Sequence, residues 1–343
     1  MSAHGHDRQA RAGLALAVLS AASFGLSGAL ARGLFDTGWT AGAVVLVRVG
    51  LGTLVVAPFA FADLRGRWRE LRAHAGLVLL YGVVPVALAQ FAYFSAVAHM
   101  AVGPALLIEY TAPATVVAWL WLRRGERPTT VTLGGALVCA AGLVLVLDLL
   151  AGPSLDPIGV GWALIAMIGA ATYYVLGAEG IAALPAVGLA GCGLGVATGS
   201  LGLLGAVGAL PLRAATAAPR YAGVRVPWWL PLLALGLVTC GIAYCAGIAA
   251  IRRLRSRVAS FVGLLEVVAG VAWAWLLLAQ MPRPLQLLGG LLLLAGIVIV
   301  RLGERDRPGV IAAAHDPRAP AESDSYAACA PSPERLVRRS ASP

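Results

Sequence analysis

Two glutamates, Glu109 and Glu266, each sit inside an apolar run long enough to cross a bilayer. A charged group near the bilayer centre costs roughly 2.5 kcal/mol or more on insertion scales. A chain that carries two of them at related places is therefore expected to use them. Two chemistries suit a carboxyl group in a wet pocket within a membrane: proton uptake and release, and capture of a substrate ammonium. A structural hydrogen bond or ion pair between helices is the plainer alternative. Arg48 is the other charged group well inside an apolar run, while Arg32 lies near the end of the first run. Arg48 has two readings of equal weight: it neutralises one of the acids, or its planar fork holds a substrate carboxylate. One Arg and two Glu together suit a zwitterion such as an amino acid.

Polar and aromatic residues surround these positions: Gln90, Tyr93 and Ser95, then Tyr110 and Thr111, then Thr172, Tyr173 and Tyr174, and Tyr244. Some are expected to line a cavity, with Tyr93, Tyr110, Thr111, Gln90 and Tyr173 as the candidates beside the charged groups. The rest are expected to bridge helices or sit in interface belts. Pro113, four residues after Glu109, has no N–H to offer the Glu109 carbonyl, so it is a candidate hinge beside the acid.

The elements that must position these groups are read from composition. The chain has 343 residues, 59% hydrophobic and 12% charged, where a soluble domain carries about 25% charged residues. The apolar residues gather in blocks of roughly 20, the length a helix needs to cross about 30 Å of hydrocarbon. Ten spans are expected, at 13–34, 41–61, 75–97, 102–122, 131–150, 158–178, 186–210, 228–250, 258–279 and 284–302. Pro128, Gly152–Pro153, Asp156–Pro157, Pro185, Pro211, Pro227, Pro282 and Pro284 punctuate them. The first run follows Arg8 and Arg11 like a signal peptide but is too long for a cleaved one. Residues 1–12 read as a cytoplasmic N-terminal segment, and 303–343, charged and rich in Ala, Pro and Ser, as a disordered cytoplasmic tail.

The net charge of +10 comes entirely from Arg, most of it in short clusters between apolar runs. That distribution marks topology and headgroup contact rather than nucleic-acid binding. About 13 Arg fall on the short segments of the side that holds the N-terminus and about five on the other, with seven more in the tail, so both termini are placed in the cytoplasm. The stretch carrying Arg213, Arg220 and Arg225 runs against this rule and has room for a segment lying on the outer surface. Trp119, Trp121, Pro128, Gly135 and Gly142 recur as Trp273, Trp275, Pro282, Gly289 and Gly296 at a constant offset. Because each copy spans five helices, an odd number, the second copy enters upside down. The expected fold is an all-α membrane protein of ten transmembrane helices in two inverted five-helix repeats, 13–150 and 151–302, with sites near the midplane between them. Gly191, Gly195 and Gly199 read as a close-packing stripe.

Five cysteines show no CxxC or metal-like spacing, so neither a metal nor another cofactor is expected. Gly25-Leu26-Ser27-Gly28 matches the GxSG of rhomboid-like intramembrane proteases. The five histidines, His4, His6, His74, His99 and His315, lie in tails or at span ends, so the base such a serine needs is missing and no enzyme is expected.

The ten-span duplicated layout resembles the drug/metabolite transporter superfamily, its EamA-domain proteins in particular. Ile108-Glu109-Tyr110-Thr111-Ala112-Pro113 is similar to a Glu-aromatic-Thr-small-Pro segment of bacterial threonine/homoserine exporters, and Ser260 to Glu266 resembles the matching segment of their second half. Arg48 matches an arginine common in the second helix, and Gly125-Glu126 the Gly-Glu that closes the fourth. Val267 stands where a proline is usual and Ala279-Gln280 where Gly-Glu is usual, so the ninth helix need not open like the fourth. The resemblance implies secondary transport in the plasma membrane, mostly proton-coupled export of small metabolites such as amino acids by alternating access. Multidrug efflux of lipophilic cations is the alternative. Small substrate, protons and the lipid bilayer are the expected partners, and a homodimer is compatible with the pattern.

Overall fold

The computed structural model describes residues 3–124, 129–146, 156–179, 184–253 and 256–303. Gly125-Glu126, Pro128, the Gly152–Pro153 turn, His315, Cys329 and the tail lie outside the described residues. The fold is almost wholly helical, as lipid demands of a backbone that must satisfy its own hydrogen bonds. In chain order the helices are α1 (Ala3–Phe35), α2 (Ala41–Asp63), α3 (Trp68–Ala73), α4 (Ala75–Tyr81), α5 (Ala89–His99), α6 (Val102–Glu109), α7 (Ala112–Arg124), α8 (Thr130–Val146), α9 (Pro157–Glu179), α10 (Ala186–Ala206), α11 (Trp229–Leu233), α12 (Ala243–Arg253), α13 (Ser256–Leu278) and α14 (Pro284–Gly303). Two π-helical segments, Gly82–Leu88 and Ala234–Ile242, join α4 to α5 and α11 to α12.

Five of these runs are long and apolar enough to cross a membrane: Ala12–Phe35, Ala41–Asp63, Ala75–His99, Val187–Ala206 and Trp229–Gly247. Four apolar helices are shorter among the described residues, at Thr130–Val146, Pro157–Tyr173, Leu265–Leu278 and Pro284–Val300. The remaining run is not the single helix expected over 102–122, because Tyr110 and Thr111 break it into α6 and α7. The seventh run also ends early, at Ala206 rather than 210. Gly208 turns at φ +76°, and the Leu210 amide folds back to donate to the Leu204 carbonyl at 3.0 Å. That seats the Leu210 side chain on Gly42, where a β-carbon would collide with it.

Packing exchanges partners between the halves. Helix α1 lies against α12 and α13 of the second half, while α9 lies against α5, α6 and α7 of the first. Like pairs with like at the remaining contacts, α8 with α14 and α2 with α10. The α8–α14 crossing is antiparallel and glycine-lined: Gly135 faces Gly296, and Gly142 faces Gly289, with β-carbon positions within about 3 Å of the opposing backbone. These are the glycines of the sequence repeat, each meeting the counterpart of the other. In the α2–α10 pair, Thr53 and Thr198 share a hydroxyl hydrogen bond at 2.9 Å. Only part of the expected stripe packs there: Gly191 sits on Ala60, whereas Gly195 and Gly199 meet nothing within 4 Å. The close contact with α2 therefore does not extend to those two glycines.

Between α10 and α11 the chain forms an antiparallel two-stranded hairpin, β1 (Arg220–Tyr221) and β2 (Val224–Arg225), turned at Ala222 and Gly223. It is docked rather than loose. The Tyr221 hydroxyl donates to the Leu30 carbonyl of α1, its ring fills the space over Gly33, and the Ala222 amide donates to the Leu277 carbonyl of α13 at 2.7 Å. Upstream, Thr40 donates to the Pro211 carbonyl at 2.7 Å and the Trp39 indole to the Ala215 carbonyl at 2.7 Å. Burial pushes the Tyr221 hydroxyl pKa above the ordinary tyrosine value, with nearby Asp36 adding to the shift.

Candidate functional site

Glu109 is the last residue of α6, immediately before the break. The break has a local cause. Pro113 cannot donate to the Glu109 carbonyl, and Thr111 turns inward on itself, its hydroxyl donating to the Ile108 carbonyl at 2.7 Å. Thr111 also contacts the Met167 sulfur of α9 at 2.9 Å, so it braces the break against α9. Glu266 sits on an uninterrupted helix, α13. The two halves therefore present their acids differently, one on a broken helix and one on a continuous one.

Small residues bring α13 close enough to place Glu266. A β-carbon on Gly25 would lie 2.7 Å from the Gly270 nitrogen and 2.9 Å from the Glu266 carbonyl oxygen. The GxSG run is thus a packing surface: Gly25 admits α13, Gly28 lies under the Tyr93 hydroxyl and Val102, and Ser27 is buried between them. The Trp273 indole donates to the Ala22 carbonyl at 3.0 Å and pins the same two helices together.

Around this contact the predicted residues converge. Glu109 and Glu266 lie within electrostatic reach of each other, and Arg48 is within reach of both. Tyr93 senses all three charges. Tyr244 neighbours Arg48, Glu266 and Tyr173, and the Tyr173 ring lies 5.8 Å from that of Tyr81, tilted by 42°. Tyr110 donates to Glu266 Oε2 at 2.6 Å, a charge-assisted bond across the halves. Both acids are half-buried, with part of each side chain open. The Tyr93 hydroxyl is buried beside Ser27.

Of the two readings of Arg48, direct pairing with an acid is not seen among its contacts. Among the described residues the ion pairs are Arg32–Asp36 and Arg67–Glu70, and neither involves Arg48. Its Nε donates to Thr239 Oγ1 at 3.1 Å, its Nη2 to the Thr239 carbonyl at 3.2 Å and its Nη1 to Gln90 Oε1, while the guanidinium lies 5.2 Å over the Phe94 ring. The physical reason is the second π-helical segment. Its widened turn leaves a carbonyl and a hydroxyl at residue 239 aimed sideways, and a five-donor fork satisfies both. Thr239 is thus a site residue that sequence reading missed; its only signal was a lone threonine in an apolar run. Gln90 serves as a partner of Arg48. No cluster of His, Cys, Asp and Glu suited to a metal occurs among the described residues.

Comparison with known proteins agrees with this architecture. The family described as "EamA-like transporter family" matches twice, over residues 11–148 and 157–302. A search of curated proteins returned no match. A solved structure titled "Crystal structure of protein" superposes with a TM-score of 0.55 at 21% identity, covering 88% of this chain and 99% of that one, which is a likeness of fold. With the family matched in both halves over most of its length, the chain belongs to the EamA-like transporter family.

Proposed function

We propose that the chain is a secondary-active exporter of small amine-bearing metabolites, amino acids among them, that exchanges substrate for protons by alternating access. In this reading ten helical runs, the fourth broken, cross the plasma membrane as two inverted five-helix units, 13–150 and 151–302, and both termini are cytoplasmic. The observation that carries it is the pairing of Glu109 and Glu266. They come from different halves, share one electrostatic neighbourhood, and have no Arg at ion-pair distance among the described residues. Two acids facing each other in a low-dielectric pocket accommodate a proton or an ammonium between them. Tyr110 and the Tyr93 hydroxyl supply directional contacts, and the break at Tyr110–Thr111 is the flexible point beside Glu109.

The segment around Glu109 is similar to one in threonine/homoserine exporters, which supports an amino-acid substrate. A second reading, efflux of lipophilic cations, is favoured by one observation: Arg48 is already engaged by Gln90 and Thr239. A substrate carboxylate would have to compete for it, whereas a cation needs only the acids.

The test is flux in reconstituted vesicles with and without a pH gradient, using labelled amino acids in one set and a cationic dye in another. Glu109→Gln and Glu266→Gln are expected to abolish proton-linked flux while inserting at normal levels. Wild-type flux in both variants would refute the mechanism, and the substrate set that responds separates the two readings.

A further inference from the structure

We infer that Arg32 and Gln280 form a gate at one end of the seam across which Glu109 and Glu266 face each other, and that the gate opens when Arg32 gives up α5 for Asp36. This rests on the alternating-access reading, which requires a contact that breaks on one side of the acids. The packing defines what the gate joins. Helix α13, which carries Glu266, is pinned to α1 by the close approach of Gly25 to Gly270 and by the bond from Trp273 to Ala22. Helix α6, which carries Glu109, packs with α5 against α9. The acids thus stand on two different groups of helices, and the Tyr110–Glu266 bond crosses between them. Val102 begins α6 and Glu109 ends it, so one end of the seam lies about two helical turns from the acids.

At that end two side chains of the α1–α13 group reach the other group. Arg32 Nη1 donates to the Val97 carbonyl at 2.9 Å and to the Ala98 carbonyl at 3.1 Å. Gln280 Oε1 accepts from the Val102 amide at 3.3 Å. The chemistry is matched at both points. Val97 and Ala98 lie in the last turn of α5, where carbonyls lack partners within the helix and carry partial negative charge. Val102 is the first residue of α6, where the amides carry the opposite charge. A guanidinium meets the one and a carboxamide oxygen the other. Arg32 and Gln280 are also the two residues that border both cavities at this end, of about 370 and about 380 Å³, so they stand as the wall between them.

The wall is built to be released. Arg32 is shared, because its Nε also lies 3.3 Å from Asp36 Oδ1, on its own side of the seam. The Arg32 side chain is 27% exposed and that of Asp36 59%, so solvent screens the pair and neither set of partners holds the guanidinium outright. Gln280 is set by a strained turn. Its amide folds back to the Ala274 carbonyl at 3.2 Å, and it follows Ala279, whose φ of +53° is costly for a residue with a β-carbon. Ala279 and Ala222, the two non-glycine residues with positive φ among the described residues, both border the second cavity. Strain of this kind persists where a position must be fixed.

The experiment reads access rather than flux. The full chain, carrying Ser27→Cys as its sole cysteine, is placed in sealed vesicles and exposed to a membrane-impermeant maleimide from the outer side. Ser27 is buried on α1, deeper than Arg32, so its labelling rate follows the open state of the gate. Gln280→Ala should speed labelling about fivefold and Arg32→Gln about tenfold, the shifts expected from losing a neutral and a charged hydrogen bond. Asp36→Ala should slow it, because Arg32 then keeps only the α5 carbonyls. Arg220→Gln, on the wall of the second cavity but in neither bond, should label like the parent. A general loss of stability would move Arg32→Gln and Asp36→Ala in the same direction, whereas the gate moves them in opposite ones. Variants are compared at matched membrane levels, and Gln280→Ala, which removes no charge, carries the test if Arg32→Gln fails to insert. Parent-like labelling in Gln280→Ala, unchanged or faster labelling in Asp36→Ala, or equal acceleration by Arg220→Gln would each overturn the gate. The transport reading falls separately, by wild-type flux in Glu109→Gln and Glu266→Gln, since labelling needs neither a substrate nor a pH gradient.

Discussion

Replacing glycine by alanine at two places on one helix should move stability in opposite directions. Gly134 and Gly142 both lie in α8. A β-carbon at Gly134 meets nothing within 4 Å, so Gly134→Ala gains only the helix preference, about 1 kcal/mol. A β-carbon at Gly142 would lie 2.5 Å from the Leu293 nitrogen and 2.7 Å from the Gly289 oxygen. Ordinary carbon contacts are about 3.5–4.0 Å, so α8 and α14 must part by roughly 1 Å, which forfeits a quarter to a half of the dispersion energy across the crossing. Overpacking of this kind costs about 1–3 kcal/mol. The same helix preference offsets part of that, so the two variants should differ by about 1–3 kcal/mol. The pseudo-symmetry sharpens the expectation. Gly289→Ala should match Gly142→Ala, and the double variant should cost less than the sum, because one separation of the helices relieves both clashes. Thermal unfolding in detergent micelles, followed by tryptophan fluorescence with matched wild-type controls, measures all four. If Gly134→Ala and Gly142→Ala shift the midpoint alike, or Gly289→Ala is silent, the antiparallel crossing is wrong.

Arg48→Lys should lose the two-point hold on Thr239 and destabilise the protein by about 1–3 kcal/mol, and Thr239→Val on that background should add little, as a double-mutant cycle in the same unfolding assay would show. Tyr221→Phe should cost about 1 kcal/mol by removing the bond to Leu30. That penalty should shrink as pH rises above about 10, because a hydroxyl held protonated in the fold adds stability below the free tyrosine pKa and loses it as the pH climbs through the folded one; melts at neutral and alkaline pH check it. Cysteines placed at Arg69 and Arg225, in a background without other cysteines, should react with an impermeant thiol reagent from opposite sides of sealed vesicles. Labelling of both from one side would invalidate the inverted arrangement.

Much of the frame was legible because lipid imposes a simple rule on composition: apolar blocks, breakers between them and arginine clusters at their ends. The glutamates stood out for the same reason, as costly exceptions inside those blocks. Pro113 announced a weakness beside Glu109, although not that Thr111 would complete the break by bonding to Ile108. What stayed hidden depends on partners far apart in sequence. Nothing in the run Ala234–Ile242 marks a widened helix, so Thr239 was passed over and the partners weighed for Arg48 were an acid or a substrate carboxylate. The hairpin was read only as room for a segment lying on the surface, because its order comes from Leu30, Trp39, Thr40 and Leu277 rather than from its own two-residue strands. Gly195 and Gly199 misled for the converse reason: spacing places glycines on one face but cannot say how much of that face meets a neighbour.

The two π-helical segments explain how a nearly symmetric frame yields an asymmetric site. The repeat offset that carries Gly135 to Gly289 carries Pro85 of the first segment to Thr239 of the second. The two segments fall at corresponding positions of the repeat, but what each offers the interior differs. Pro85 has no N–H and no polar side chain, whereas Thr239 exposes an acceptor carbonyl and a hydroxyl that itself donates to the Leu235 carbonyl at 2.7 Å. Arg48 on α2 reaches across to these and, through Gln90, to the turn that follows the first segment. It therefore ties α2 to the widened turn of the second half and, through Gln90, to the start of α5. Any motion that parts the halves near Glu109 and Glu266 must either carry this clamp intact or exchange its bonds. A lysine in its place would keep the charge and lose the fork, and an arginine reserved for a counter-ion would not need Thr239 at all. Arg48 fits a positioning role, holding three helices in register around the two acids while leaving their charges available.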